Sequence, residues 1–551
     1  MRVFYTVFFL LLVSTSQAQS PLQASIDSLF QTCNDKTPGY AVAVVKDGKI
    51  ECLKGYGMAN LEYGTPITPE TVFHLASVSK QFTAYSIYQL ISAGKLQLDD
   101  PVKKYLPDFR DYGHPVTIRN LLNHTSGVRD LVELLGLSGI AEPDAVTEQN
   151  TLSIVYRQKE LNFAPGEKWL YSNSGYLLLA AIIEKVSGRS FREFEDKNIF
   201  APMGMKNTFI NDNAQQIVPQ RASSYEKDTV PMKYLKRELN YSFYGPTNMN
   251  STARDLASWV INLDRDRLIF EKMAKRAVLN NGDTVFYGSG FFVDKYRGIR
   301  RVYHDGNDAG FETFVGYFPD RRLGIVVLSN LLNSDPTSKA MRIANLYVPR
   351  PVRRENAAQR PAEKYNYVKT NQAYLKAYTG NYETPGGNLI KIFPKDTSLQ
   401  IKFPDLDKPQ TLTAINDTLF HVFDDMLISF RRKQAGGFQQ IGLKRPAFSN
   451  TAERVEYAVY TEQQMREFTG TFYAEEIQTV YEVKIINNTL VMSSIMNSNI
   501  QLNAKTKDKF ATDRWYAGKI VFQRDKSQKV TSFSVSSDRM KNVLFKKISS
   551  L

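Results

Sequence analysis

Cysteine is nearly absent from this 551-residue chain, which carries only Cys33 and Cys52. That excludes a disulfide-dense scaffold and a four-cysteine zinc site. Histidine is almost as scarce. Five are scattered through the chain (His74, His114, His124, His304 and His421), so no histidine-built metal centre is expected. There is no Gly-x-Ser-x-Gly elbow, no His-Glu-x-x-His and no Walker loop. No cofactor and no metal are therefore expected. After the N-terminus no apolar run reaches the ~18 residues of a membrane span.

What is present begins with a leader-like start. Met1-Arg2 is basic, Val3 to Val13 is apolar apart from Tyr5 and Thr6, and Ser16-Gln17-Ala18 fits a small-x-small cleavage rule. Residues 1–18 read as a signal peptide, because about 11 apolar residues are too few to cross ~30 Å of hydrocarbon. The expectation is an exported protein, periplasmic or extracellular, with no transmembrane segment in the mature chain. In such a compartment Cys33 and Cys52 could pair, or each could be a small buried apolar residue.

Apolar residues make up 42% and charged residues 23%, enough to build a core. Lys and Arg number 70 against 56 Asp and Glu, for a net charge of +14. The surplus is uneven: 40 basic against 36 acidic residues up to position 350, and 30 against 20 after it. The expectation is that the later segment offers a docking surface to an acidic wall or envelope polymer. A nucleic-acid partner is not expected, since no basic-aromatic run matches a known module.

Residues 20–348 mix helix and strand signals. Tyr40–Val45, Asp47-Gly48 and Lys49–Tyr56 form a hairpin pattern, since Asp-Gly accepts a positive φ. Leu75–Ala93 has a helical apolar stripe stopped by Gly94. Leu177–Val186 reads as a buried helix ending at Gly188. Thr252 and Asp255 form a capping-box pattern. Glu312–Phe318, Pro319-Asp320 and Leu323–Leu328 make a second hairpin pattern, and Ser338–Tyr347 a closing helix. Residues 349–372 read as an exposed linker. Beyond them, Leu375-Lys376-Ala377-Tyr378-Thr379-Gly380-Asn381-Tyr382 returns 90 residues later as Met465-Arg466-Glu467-Phe468-Thr469-Gly470-Thr471-Phe472. Each copy continues as short β-prone runs, about eight per copy, which predicts two barrels over 373–460 and 461–551. One larger shared barrel is the alternative.

Three segments could carry chemistry. Ser77-Val78-Ser79-Lys80 puts an ammonium and a hydroxyl on one helical face. Ser-x-x-Lys also occurs at Ser92 and Ser224, but only Ser77 heads a long apolar helix. In Tyr171-Ser172-Asn173 the phenol can act as a base where cations lower its pKa, and the amide can hold a carbonyl. In His304-Asp305-Gly306 the glycine allows close approach to a strand.

In this order and spacing the three segments resemble the active-site motifs of the serine β-lactamase and penicillin-binding-protein superfamily. The likeness is greatest to the class C β-lactamase, D-aminopeptidase and esterase branch. Supporting segments are Val72–Ala76, Ile118–Gly127, Ser251–Leu256 and Tyr317–Asp320. The resemblance spans about residues 22–348. It implies an α/β (α+β) domain, with an antiparallel sheet flanked by helices and an inserted helical subdomain, followed by all-β barrels that resemble lipocalin-like domains. It further implies Ser77 as the acylated nucleophile, Lys80 and Tyr171 as proton carriers, and Asn173 as a ligand for the substrate amide. His304 and Gly306 would line the cleft, and the N–H groups of Ser77 and Asn307 would form the oxyanion site. His124 would be buried and hydrogen-bonded. Histidine in place of Lys-Thr-Gly removes a fixed cation for a substrate carboxylate. The expected activity is hydrolysis of an amide or ester in a small peptide or ester. β-Lactamase, D-Ala-D-Ala carboxypeptidase or a catalytically silent binding protein are the alternatives. Oligomeric state is not legible.

Overall fold

The computed structural model describes residues 20–230, 233–348, 365–370, 375–384, 389–403, 408–422, 426–432, 438–445, 448–456 and 458–548. The predicted signal peptide (1–18) and nearly all of the predicted linker lie outside the described residues. Among the described residues no helix is long and apolar enough to cross a membrane.

The hydrolase-like part is built on a six-stranded antiparallel sheet. Its strands are β1 (Tyr40–Lys46), β2 (Lys49–Tyr56), β3 (Phe292–Tyr296), β4 (Ile299–Asp308), β5 (Phe311–Phe318) and β6 (Leu323–Ser329). Their spatial order is β3-β4-β5-β6-β1-β2. Both hairpins form where the turn residues allow. Asp47 and Gly48 take φ of 51° and 75°, and Arg322 takes 46° at the other corner. β1, β5 and β6 are buried on both faces, which is why they read as unbroken apolar runs rather than as alternation. One face packs helices α1 (Pro21–Ser28) and α6 (Pro336–Tyr347). The opposite face packs α5 (Ala253–Arg265) and α2 (Ser79–Ser92), with α4 (Asn173–Ser187) packed on α2 and α3 (Leu131–Ser138) in the inserted helical region.

Two local expectations change in detail. Helix α2 starts at Ser79, because Ala76–Val78 is a separate 3-10 turn holding Ser77. Thr252 does cap α5 by accepting from Asp255 N, but the Asp255 carboxylate bonds Asn207 N and Thr208 Oγ1 instead of closing a box. Cys33 and Cys52 are free thiols, and Cys52 accepts from Gln23 Nε2 at 3.7 Å.

The C-terminal part contains two β units. Strands from Gly380 to Val455 close an eight-stranded barrel. Strands from Gly470 to Ile548 form a nearly closed sheet of nine. The repeat has a physical basis in both. Tyr378 and Phe468 come from short helical turns and lie fully buried in their respective cores. At Gly380 an added Cβ would lie 2.9 Å from Arg454 Nε, and at Gly470 2.6 Å from Lys547 Cε. Glycine there lets a basic side chain of the last strand reach a carbonyl of the preceding turn. Arg454 bonds Thr379 O at 2.8 Å, and Lys547 bonds Thr469 O at 2.6 Å.

The units differ in how they attach. The first barrel keeps its own core of Tyr378, Tyr382, Phe420, Phe430 and Phe438 with aliphatic neighbours. The second shares one continuous core with the hydrolase-like domain. Gly136 makes this contact possible from inside α3. A Cβ there would meet Tyr516 Cδ1 at 2.9 Å and Trp515 Cη2 at 3.0 Å. Asn497 Nδ2 donates to Gly136 O, and Tyr481 OH to Leu137 O. The buried ion pair of Arg129 Nη1 with Glu476 Oε1, at 2.6 Å, completes the attachment.

Candidate active site

Ser77 lies on a turn pinned from three sides. Thr313 Oγ1 donates to Leu75 O, Leu75 N to Met249 O, and Ser79 Oγ to Ala76 O. Ala76, immediately before it, takes φ of 49°, a left-handed conformation that costs an alanine about 1–2 kcal/mol. Ser77 is half-buried and Lys80, one turn on, is fully buried.

Lys80 Nζ has three acceptors: Ser77 Oγ at 3.0 Å, Asn173 Oδ1 at 2.8 Å and Pro246 O at 2.8 Å. Burial pushes its ammonium down to about 7, against the opposing pull of Asp308 and Asp130. An amine titrating near neutrality beside a hydroxyl can accept that hydroxyl's proton.

Tyr171 precedes α4, and its hydroxyl oxygen is buried. Lys80 Nζ lies 4.8 Å from its ring centroid. Burial drives the phenol well above its usual value, and the Ser77 hydroxyl and Arg539 pull it back. Asn173 opens α4, and both ends of its amide are engaged. Its Oδ1 accepts from Lys80, while its N and Nδ2 donate to Asp130 Oδ2 at 2.7 and 3.0 Å. Asn173 thus orients Lys80, and one amide hydrogen is left for a ligand.

β4 forms the facing wall. His304 is buried, and burial holds its imidazolium down to about 3, so it is neutral. Its Nδ1 donates to Asp305 O, which leaves Nε2 to accept from Tyr287 OH at 3.1 Å. The close approach at Gly306 is made by the chain itself. A Cβ there would sit 2.6 Å from Leu75 O and 2.9 Å from Ala76 Cβ. The glycine lets β4 press against the Ser77 turn. Asn307 Nδ2 bonds Glu312 Oε1 at 3.3 Å. A cavity of about 340 Å³ borders this strand, lined by Asp305, Gly306, Asn307, Glu312 and Asp335. His124 Nδ1 accepts from Ser172 N, and burial keeps its ring neutral.

Three contributors had no signal in the motifs. Asp130 is fully buried and carries Asn173. Pro246 contributes only a backbone carbonyl. Arg539 arrives from the second β unit, 5.8 Å from the Tyr171 ring centroid. Among the described residues no group of three or more His, Cys, Asp or Glu is arranged to hold a metal.

The family model for Beta-lactamase matches residues 26–348. The chain belongs to the beta-lactamase family. It is 30% identical over 398 residues to "Penicillin-binding protein 4*" of Bacillus subtilis, covering 68% of this chain and 86% of that one. It is 31% identical over 321 residues to a "D-aminopeptidase" of Brucella anthropi, covering 56% of this chain and 59% of that protein's length. Among solved structures it resembles the octameric penicillin-binding protein homologue from Pyrococcus abyssi, with a TM-score of 0.54, 25% identity, and 78% of this chain and 99% of that one covered. As a beta-lactamase-family protein of this kind, the chain is a serine hydrolase of the penicillin-binding-protein and D-aminopeptidase type.

Proposed function

We propose that this serine hydrolase cleaves an amide or ester bond through an acyl-enzyme on Ser77. The observation that carries the reading is the buried Lys80 amine, 3.0 Å from Ser77 Oγ and held there by Asn173 and Pro246. In its neutral form Lys80 takes the Ser77 proton as Oγ bonds the carbonyl carbon. Backbone N–H groups of Ser77 and Asn307 stabilise the oxyanion. The carbonyl–leaving-group bond breaks, and the leaving atom receives the proton through Lys80 and Tyr171. Water then enters, is deprotonated by the same groups, and releases the acid.

Substrates in this reading are peptides containing D-amino acids, peptidoglycan-derived peptides or small esters. The neutral His304 offers no charge to a substrate carboxylate. That suits a substrate without a carboxylate at this place, which favours peptidase or esterase over β-lactamase chemistry. Similarity to the D-aminopeptidase supports the same choice. We further propose export to the periplasm or exterior, on the leader-like residues 1–18.

Two experiments test this. A fluorophosphonate probe is expected to label the wild-type chain and not Ser77→Ala, and an unlabelled wild type would overturn the acyl-enzyme. Rates on a D-aminoacyl anilide or p-nitrophenyl ester are expected to exceed that on a chromogenic cephalosporin. The reverse order would overturn the substrate class.

A further inference from the structure

The Ser537–Lys541 loop of the second β unit is fastened to the hydrolase domain independently of its side chains. Arg539 N donates to Glu133 Oε2 at 2.8 Å, and Arg539 O accepts from Asp130 N at 3.1 Å and from Asn162 Nδ2 at 2.9 Å. Lys541 N donates to Asn162 Oδ1 at 2.8 Å. These bonds deliver the Arg539 side chain beside Tyr171. Its Nη2 lies 3.6 Å from Asp130, its Nε 3.5 Å from Glu133, and the guanidinium carbon 5.8 Å from the Tyr171 ring centroid.

Other groups facing Tyr171 are Lys80, His124, Tyr287, His304 and Asp305. Burial keeps both histidines neutral. Among the described residues two cations therefore lie over the ring, Lys80 and Arg539. They are not equivalent. Lys80 titrates near neutrality and gives up its charge when it serves as base. A guanidinium does not deprotonate. When the proton is shared between Ser77, Lys80 and Tyr171, Arg539 is the one fixed positive charge beside the phenol.

We propose that Arg539, contributed by the second β unit, is a positioning residue of the active site whose permanent charge keeps Tyr171 competent for proton transfer. The inference rests on the Ser77 acyl-enzyme reading. The β unit then completes the hydrolase electrostatically, and the cation that His304 does not supply comes from a different domain. Asp130 and Glu133 hold the guanidinium in place and partly offset its charge, so the effect at Tyr171 is moderate.

The test uses the full chain and the rate of Ser77 labelling by a fluorophosphonate, which needs no physiological substrate. Arg539→Met is expected to slow labelling by roughly tenfold or more and to move the rising limb of the pH profile up by about one unit. Arg539→Lys should restore most of the rate. In a Tyr171→Phe background, Arg539→Met should add less than about threefold, because its target is gone. A wild-type rate and limb in Arg539→Met would overturn the proposal. So would an equal loss in the Tyr171→Phe background, which would show that the side chain does not act through Tyr171. If Arg539→Met folds poorly, Arg539→Lys and its pH limb decide: an unchanged charge keeps the limb at its wild-type place, and a limb moved up by about one unit despite the retained charge refutes the role. Labelling of Ser77→Ala would instead refute the nucleophile itself.

Discussion

The Arg129–Glu476 pair joins the hydrolase domain to the second β unit, and its burial makes the consequence of breaking it calculable. The side chains are 1% and 5% exposed, and the ions are 2.6 Å apart. Glu476 Oε1 also accepts from Lys159 N at 2.6 Å, and Arg129 Nη1 also donates to Gln158 Oε1 at 3.0 Å. Replacing one partner leaves the other charge in a site that water does not reach. Arg129→Met or Glu476→Met alone should therefore cost about 3–5 kcal/mol. The double variant removes both charges and leaves only neutral groups, the Lys159 N–H and Gln158 Oε1, without these partners, a loss of about 1–3 kcal/mol for each. It should be more stable than either single variant. Equilibrium urea unfolding of the full chain measures the order. Hydrogen exchange at the Arg539 amide, which bonds Glu133, reports the same order locally. Additive losses in the double variant, or single losses below about 1 kcal/mol, would refute the claim that this pair is desolvated and couples the two units.

Other consequences can be checked directly. The labelling rate should rise with pH through about 7, as Lys80 becomes neutral, and Lys80→Met should lose about 10²–10⁴-fold. An unfolded lysine titrates near 10.4. The unfolded chain thus binds more protons between about 7 and that value, and Lys80 makes stability rise with pH in that window. His304 is neutral down to about 3, so no limb between pH 5 and 8 should vanish in His304→Gln; one that did would show a titrating imidazole. Asp130→Asn should slow labelling at least roughly tenfold and destabilise by about 1–3 kcal/mol, since Asp130 both accepts from Asn173 and caps α3 through Val132 and Glu133 N–H groups. Ala76→Gly should be neutral or stabilising by about 1 kcal/mol in thermal melts, because glycine accepts φ of 49° without strain.

Much of the site was legible because its chemistry is local in sequence. Ser77 and Lys80 are one turn apart, and Tyr171 and Asn173 flank a helix start, so spacing alone brings each pair together. Asp47-Gly48 and Pro319-Asp320 mark corners where turn chemistry leaves few choices. The repeat at Tyr378 and Phe468 was legible for the same reason, since each copy must plug a core and leave room for a basic side chain at its glycine. The contact that requires glycine at 306 was not legible, because the atom a side chain there would meet, Leu75 O, is more than 200 positions away in the chain. The bond from Asn173 to Asp130 was not legible, because Asp130 lies in a loop with no periodicity to betray it.

The sequence by itself determined the hydrolase motifs, the central hairpins and the split between a nearly balanced first part and a basic remainder. Tertiary structure decided which β unit meets the site. Both units carry the repeat, and both are rich in Arg and Lys. Among the described residues only the second shares a core with the hydrolase domain, because Gly136 admits its aromatic residues and Arg129 pairs with Glu476. That contact sets Arg539 beside Tyr171, across a sequence separation no motif spans. Electrostatics acts through distance in space, and only the fold sets that distance.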